Sequence, residues 1–481
     1  MRGRRAYTRP RNGLALIQIK AAGRPGVNSA AMSLADLIRK YDQRVPRYTS
    51  YPTAPHFSAT IGAETYAEWL RALPSDTPLS LYLHVPFCAQ LCLFCGCHTT
   101  VMHRPEPLLA YTRTFLAEID LLADAIGRRL PVRHIHWGGG TPHALPAACM
   151  AAITTRLHER FAIAPDTEVA VEIDARTLTD ADIAGLAQIG TTRASLGVQD
   201  FDPKVQRAIG RVQSFATTAA CVARLRGIGV GSINLDLIYG LPYQTVDGLA
   251  ATVGSALALA PDRIAVFGYA HVPWMKRQQT LLPATALPDA AARFAQRQAA
   301  EQTIAAAGYE AIGLDHFALP VDALAVAARA GRLRRNFQGY TTDDAPVLLG
   351  VGASSIGSLP QGYVQNAPGV PGWREAIHAG RLPVARGCAV TAADRLRRDV
   401  IERIMCDGAV DLAATAARHG ADPASLMDAA PALQEMARDG LLHWTGHQLA
   451  VTGTGRPFLR NVAALFDTYL GAGTARHSAA V

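Results

Sequence analysis

Between Leu79 and Gly357, six short runs rich in apolar and β-branched residues alternate with longer helical stretches, a rhythm that leaves few folds open. The runs are 79–85, 134–137, 169–173, 193–198, 232–238 and 263–269, with helical stretches such as 108–126 and 214–228 between them. A strand that reaches its neighbour through a helix lies parallel to it, so six such units predict a barrel or part of one. In barrels of this kind the chemistry sits at the C-terminal ends of the strands. Reactive or permissive residues do follow the runs: Cys88 the first, Gly138 the second and Gln199 the fourth.

The first run leads into the densest reactive cluster in the chain. Four of the eight cysteines fall within ten residues, as Cys88, Cys92, Cys95 and Cys97 in a C-x3-C-x2-C-x-C pattern. Thiolates this close hold a metal or a cluster, or invite oxidation. Structural zinc usually gathers two separated pairs, and no second pair follows here at finger spacing. Three thiolates on one loop suit three corners of a cubane iron–sulfur cluster, with the fourth iron open to another ligand. Cys149, Cys221, Cys388 and Cys406 are scattered singly, which argues against a disulfide framework and for a reducing compartment.

The C-x3-C-x2-C loop, with Phe94 before its third cysteine, resembles the signature of radical S-adenosylmethionine (SAM) enzymes. The longer string from His84 to Cys97 resembles the oxygen-independent coproporphyrinogen III oxidases in particular. Pro46-Arg-Tyr-Thr-Ser-Tyr-Pro52, His136-Trp-Gly-Gly-Gly-Thr-Pro142, Gly197-Val-Gln-Asp200 and Asp236-Leu-Ile-Tyr-Gly-Leu-Pro242 extend the resemblance. So do Asp315-His-Phe317 and Asn336-Phe-Gln-Gly-Tyr-Thr-Thr342, and the series covers about residues 41 to 470 in the family's order. The resemblance implies a partial (β/α)6 TIM-like barrel of the radical SAM type, with an N-terminal segment and a small, mostly helical, winged-helix-like C-terminal domain. The expected divisions are a basic extension over 1–32, a substrate-covering segment over 33–78, the barrel over 79–358 and the second domain over 359–481.

It further implies one [4Fe–4S] cluster on Cys88, Cys92 and Cys95, and SAM at the open iron, where one electron yields a 5′-deoxyadenosyl radical. Two SAM molecules are implied. Tyr82, Gly139 and Glu172 would touch the first; Gly140, Thr141, Gln199, Arg211, Asp236, Ala270 and Ile356 would line the second site. Tyr82 and Cys97 are the implied catalytic residues. The substrate would be coproporphyrinogen III, flat and anionic at its rim, for which Arg47, Tyr48, Tyr51, His316 and Arg335 offer cationic, donor or aromatic groups. Two propionates would become vinyls, giving protoporphyrinogen IX, with a flavodoxin or ferredoxin as electron donor.

Read without the resemblance, each of these polar residues has a structural alternative: Cys97 as a small buried hydrophobe, Glu172 as half of a salt bridge, Gly138–Gly140 as a tight turn. The nearest functional rival is a haem chaperone of the same superfamily. Relatives of that type lack the x-Cys after the three-cysteine motif and the Arg-Tyr-Thr-Ser-Tyr-Pro string, whereas this chain has Cys97 and residues 47–52. A radical SAM enzyme for an unrelated substrate would keep the cysteine loop and change the N-terminal segment.

A net charge of +8 invites a nucleic-acid reading, but residues 1–31 carry seven basic residues and no acid. Without them the remainder is at +1, so no nucleic-acid partner is expected. That extension reads either as a leader or as a start assigned ahead of Met32, the latter being preferred. No run of eighteen uncharged apolar residues occurs, and a cytoplasmic monomer is expected.

Overall fold

The structure, a computed structural model, describes residues 32–471. The readings of the basic extension lie outside the described residues except at Met32.

All six runs form strands: β1 (Leu79–Val85), β2 (Pro131–Gly139), β3 (Ala162–Ile173), β4 (Arg193–Gln199), β5 (Ser232–Tyr239) and β6 (Arg263–Gly268). Each lies parallel to the next in chain order. Beyond β6 the sheet continues antiparallel through β7 (Glu310–Ile312) and β8 (His316–Ala318), β8 being the strand paired to β6. On the other side of β1 lies β9 (Val347–Val351), a seventh parallel strand. Its five residues are all buried, too short and too uniformly apolar to show strand alternation in the sequence. Antiparallel β10 (Ile356–Leu359), β11 (Gly362–Asn366) and β12 (Val384–Ala389) follow, so the main sheet runs on past residue 358. Twelve strands thus make a partial barrel whose two edges, β7 and β12, are not paired to each other among the described residues.

Alternation along the strands explains why the barrel is hollow. Leu81, Ile135, Trp137, Val171, Leu196, Leu235 and Ile264 join one apolar core with the surrounding helices. Ser80, His134, His136, Glu172, Ser195, Asn234 and Asp236 face the interior and line a cavity of ≈ 340 Å³. A filled barrel would stack Val, Ile and Leu there; polar residues cannot pack dry, and the space stays open. Near the strand starts it is closed by ion pairs, Arg193–Glu168 at 3.1 Å and Arg263–Asp322 at 2.8 Å.

A second core is built from both ends of the described chain. Helix Ala392–Asp407 opens with a reciprocal capping box between Thr391 and Asp394 and buries Leu396, Val400, Ile401 and Ile404. It packs with shorter helices and a three-stranded sheet in which Leu442–Trp444 and Gln448–Val451 form a hairpin, turning at Gly446 (φ 86°). Tyr41, Tyr48 and Tyr51 insert into this same core beside Phe458 and Phe466. The segment before residue 52 therefore docks on the C-terminal unit, while helix Ala63–Arg71 packs on the barrel core through Tyr66 and Leu70. No described helix is long and apolar enough to cross a membrane.

Candidate active site

The cysteine loop leaves β1 and is pinned at both base and tip. At the base, Phe87–Cys88 pairs with Thr100–Val101, and the Met102 amide donates to the Cys88 carbonyl at 2.9 Å. At the tip, Lys276 Nζ donates to the Cys97 carbonyl (2.8 Å), Gln278 to that of Cys95 (2.7 Å) and Gln279 to that of Phe94 (3.0 Å). The loop is thereby held by side chains from the segment after β6 at the mouth of the polar cavity.

Each of three sulfurs meets its own donor. Thr141 Oγ1 donates to Cys88 Sγ at 3.5 Å, and the Cys97 amide to Cys95 Sγ at 3.4 Å. Cys92 Sγ accepts from Arg176 Nη2 (3.4 Å) and Arg211 Nη1 (3.6 Å), whose charges are shared by Asp174 between them. The neighbouring Cys97 thiol lowers Cys95 to about 6, towards the thiolate that ligates iron, whereas burial pushes Cys88 up to about 11 against the pull of Thr141. Among the described residues no three His, Cys, Asp or Glu side chains converge on one ion. Thiolates of a cubane each bind a different iron, so a spread-out trio with separate donors suits a cluster rather than one tetrahedral ion.

The Gly138–Gly140 turn is shaped by this chain's own side chains. A Cβ on Gly138 would lie 2.7 Å from Glu172 Oε1, and one on Gly140 2.6 Å from the Phe87 carbonyl oxygen. Gly139 has φ 112°, and its Cβ would strike the His84 ring. The bare backbone lets the Gly139 amide donate to Glu172 Oε2 at 3.0 Å, while His136 Nε2 lies 3.2 Å from Oε1. Burial opposes ionisation of Glu172, but those two contacts outweigh it and hold the carboxyl below its ordinary range. Across the cavity Asp236 accepts from Ser195 Oγ (2.9 Å) and Asn234 Nδ2 (2.8 Å), and burial raises its carboxyl. The cavity thus offers two carboxylates of opposite tuning to a cationic ligand.

Eleven of the residues identified for the cluster, SAM or catalysis line this one cavity: Cys88, Cys92, Cys95, Cys97, Gly139, Gly140, Thr141, Glu172, Gln199, Arg211 and Asp236. Gln199 ends β4 in the left-handed region (φ 71°), and a Cβ on Gly197 would meet its side-chain nitrogen at 2.8 Å. Tyr82, Ala270 and Ile356 are not among the lining residues. Tyr82 stands beside Gly138, its hydroxyl 3.0 Å from His84 Nδ1, and burial lowers that imidazole to about 4 and keeps it neutral. Of the substrate candidates, His316 lines the cavity. The Tyr48 and Tyr51 hydroxyls meet Asp467 and Thr468, both at 3.0 Å, and both residues line a separate cleft with Arg335. Their rings were needed by the second core.

Asp174, Arg176, His136, Lys276 and Gln278 went unrecognised in the sequence. Asp174 and Arg176 directly follow β3, and the rule that singled out Cys88, Gly138 and Gln199 would have found them. Lys276 and Gln278 sit in an irregular stretch with no periodicity to announce them.

Residues 82–256 match the radical SAM superfamily model, and residues 390–458 match the HemN C-terminal domain. The oxygen-independent coproporphyrinogen III oxidase of Bradyrhizobium diazoefficiens is 52% identical, over 93% of this chain and all of that one. That of Paracoccus denitrificans is 45% identical, over 92% of this chain and 97% of that one. Among solved structures, coproporphyrinogen III oxidase (HemN) from Escherichia coli, a radical SAM enzyme, superposes with a TM-score of 0.84 at 37% identity, covering 89% of this chain and 100% of that one.

Proposed function

The chain belongs to the oxygen-independent coproporphyrinogen III oxidase family of radical SAM enzymes, and from this we propose that it converts two propionates of coproporphyrinogen III into vinyls. Each conversion removes one hydrogen atom from a propionate β-carbon, carbon dioxide and one further electron. When bound, a [4Fe–4S] cluster and SAM supply the reductive cleavage that makes such a hydrogen abstraction possible.

The chain's own part is to hold, orient and exclude water. Cys88, Cys92 and Cys95 hold the cluster, and the carbonyl clamps from Lys276, Gln278 and Gln279 fix their loop. Glu172 faces the cationic ligand, with Gly139 and Tyr82 framing it. We assign Gln199, Arg211, Asp236, Gly140 and Thr141, which line the cavity, to a second SAM, together with Ala270 and Ile356, which do not line it. Cys97 and Tyr82 are assigned to the reacting region. The observation that carries this reading is the convergence of the cysteine loop, Glu172 and Asp236 on one water-sized-to-ligand-sized polar hollow in a barrel.

We take the second unit to begin near residue 390, because β11 and β12 belong to the main sheet. The electron donor is a flavodoxin or ferredoxin, and the enzyme acts as a cytoplasmic monomer; donor reconstitution and size-exclusion chromatography test these assignments. The decisive assay is anaerobic, with reconstituted protein, dithionite, SAM and coproporphyrinogen III. Protoporphyrinogen IX should form with carbon dioxide and 5′-deoxyadenosine, and a Cys92→Ala protein should lose the cluster absorbance and all turnover. 5′-Deoxyadenosine without decarboxylation would overturn the substrate; haem binding with neither product would favour the chaperone.

A further inference from the structure

A second, far smaller cavity lies on the opposite face of the strands that bound the main one. Phe267 and His316 face the main cavity, whereas Val266, Gly268 and Phe317 face the small one, as strand alternation requires. It is lined by five arginines, Arg47, Arg293, Arg297, Arg335 and Arg460, against two carboxylates, Asp315 and Glu301.

Both carboxylates are already engaged. Glu301 accepts from Arg297 at 2.9 Å, and Asp315 lies 2.8 Å from His316 Nδ1. Arg47, Arg293 and Arg335 form no ion pair among the described residues. Their guanidinium hydrogen bonds go to the carbonyls of Gly268 (3.0 Å), Tyr269 (3.0 Å) and residue 47 (3.1 Å) respectively. Arg293 Nε and Arg335 Nη1 are buried with no hydrogen-bond partner at all. Three guanidiniums around one hollow, two of them with unsatisfied N–H groups, describe a site completed by an anion.

Size and position say which anion. A volume of ≈ 40 Å³ admits one carboxylate group and no macrocycle. Arg335 lines this cavity and also a cleft of ≈ 350 Å³ walled by Tyr51, Phe337 and Tyr363. Asn336, the next residue, lines both that cleft and the main cavity. The three spaces therefore adjoin at the hairpin of 334–341, the cleft sharing Arg335 with the cationic hollow and Asn336 with the cysteine loop's cavity.

We propose that the arginine cavity is a carboxylate subsite that grips one of the propionates not consumed in the reaction, fixing which edge of the macrocycle is presented to the main cavity. This rests on the function proposed above. The same chemistry would also hold a free carboxylate, so the test must separate the two sources.

Coproporphyrin III, the stable fluorescent tetracarboxylate, would be titrated anaerobically onto reconstituted full-length protein, alongside its tetramethyl ester. The acid should bind more tightly than the ester, and Arg293→Gln should weaken it about tenfold or more, the loss of one hydrogen bond to a charged group. Arg293→Lys should recover part of that loss. Turnover should show KM for coproporphyrinogen III rising in step, with substrate-free SAM cleavage unchanged. Arg47→Gln is the second variant, at an exposed residue, and circular dichroism checks that both glutamine variants are folded. Unchanged affinity in both folded glutamine variants would overturn the subsite and leave the function standing. A wild type that binds no tetracarboxylate would overturn the subsite, and one that also forms no protoporphyrinogen IX would overturn the function with it. If sodium acetate raises the melting temperature of wild type but not of Arg293→Gln, while porphyrin affinity is equal in the two, the site is for a free anion and the propionate assignment falls.

Discussion

Two charged clusters inside this molecule are completed in opposite ways. Glu118, on helix Pro105–Ile126, is 1% exposed and surrounded by donors: the Gly352 amide (2.7 Å), Asn366 Nδ2 (2.5 Å) and Trp373 Nε1 (2.9 Å). Those donors come from the turn after β9, from β11 and from helix Val370–His378, so one carboxylate ties three elements to a fourth. The arginine cavity has three guanidiniums with no carboxylate of their own. Where a buried group finds every partner within the chain, it serves architecture; where it lacks them, the fold tolerates the deficit for the sake of something that binds. The cysteine loop stands between these cases: Cys88, Cys92 and Cys95 each have a donor within the chain, and the cluster proposed for them would come from outside it.

The largest expected effect sharpens the first half of that contrast. Glu118→Ala leaves three donors facing a cavity and should lower unfolding free energy by about 4 kcal/mol, read by anaerobic urea denaturation. A loss under about 1 kcal/mol would mean the knot is redundant. The next effect is a pH dependence. Burial pushes the Glu118 carboxyl up to about 7, against the pull of its three donors, from an ordinary value of 4.5. The native state then holds the proton more tightly than the unfolded chain between those values. Stability is full below about 4.5 and falls as pH rises through about 7, by roughly 3 kcal/mol in all. The difference between wild type and Glu118→Gln should follow that curve; parallel pH profiles would sink the assignment.

The same contrast explains what the sequence discloses. Six barrel strands are legible because alternation writes them into consecutive residues, and the cysteine loop because its four thiols are local. Glu118 is invisible: in the sequence it is one more acid on an amphipathic helix, and its partners lie 234, 248 and 255 residues away. Arg293 is equally silent, since nothing local separates an unpaired arginine from a solvated one. Arg47 and Arg335 offer contacts for an anionic rim, but their meeting with Arg293 around one cavity joins three segments far apart in the chain. The hydroxyl partners of Tyr48 and Tyr51 are hidden for the same reason: Asp467 and Thr468 are more than four hundred residues on.

A smaller effect tests the main cavity. Glu172→Gln keeps an oxygen for the Gly139 amide but removes the charge that would face a cationic ligand. SAM affinity of the reconstituted protein, by equilibrium dialysis, should fall by about 2 kcal/mol, roughly thirtyfold, with the cluster spectrum unchanged. Equal affinity would move Glu172 from the ligand's partners to the scaffold, beside Glu118.

The smallest effect bears hardest on the comparison. If the arginine cavity awaits an anion, the ligand-free protein gains little from Arg293: its Nε has no partner, and Arg47 and Arg335 lie near it. Arg293→Gln should then alter the unfolding free energy by less than about 1 kcal/mol without substrate, and relief of like-charge repulsion could make the change stabilising. Adding coproporphyrin III should restore the advantage of the arginine, because a ligand stabilises the state it binds in proportion to its affinity. A loss above about 2 kcal/mol in the free protein would put Arg293 in the same class as Glu118, a residue whose carbonyl contact at Tyr269 holds the rim of β6 together, and the two clusters would no longer differ in kind.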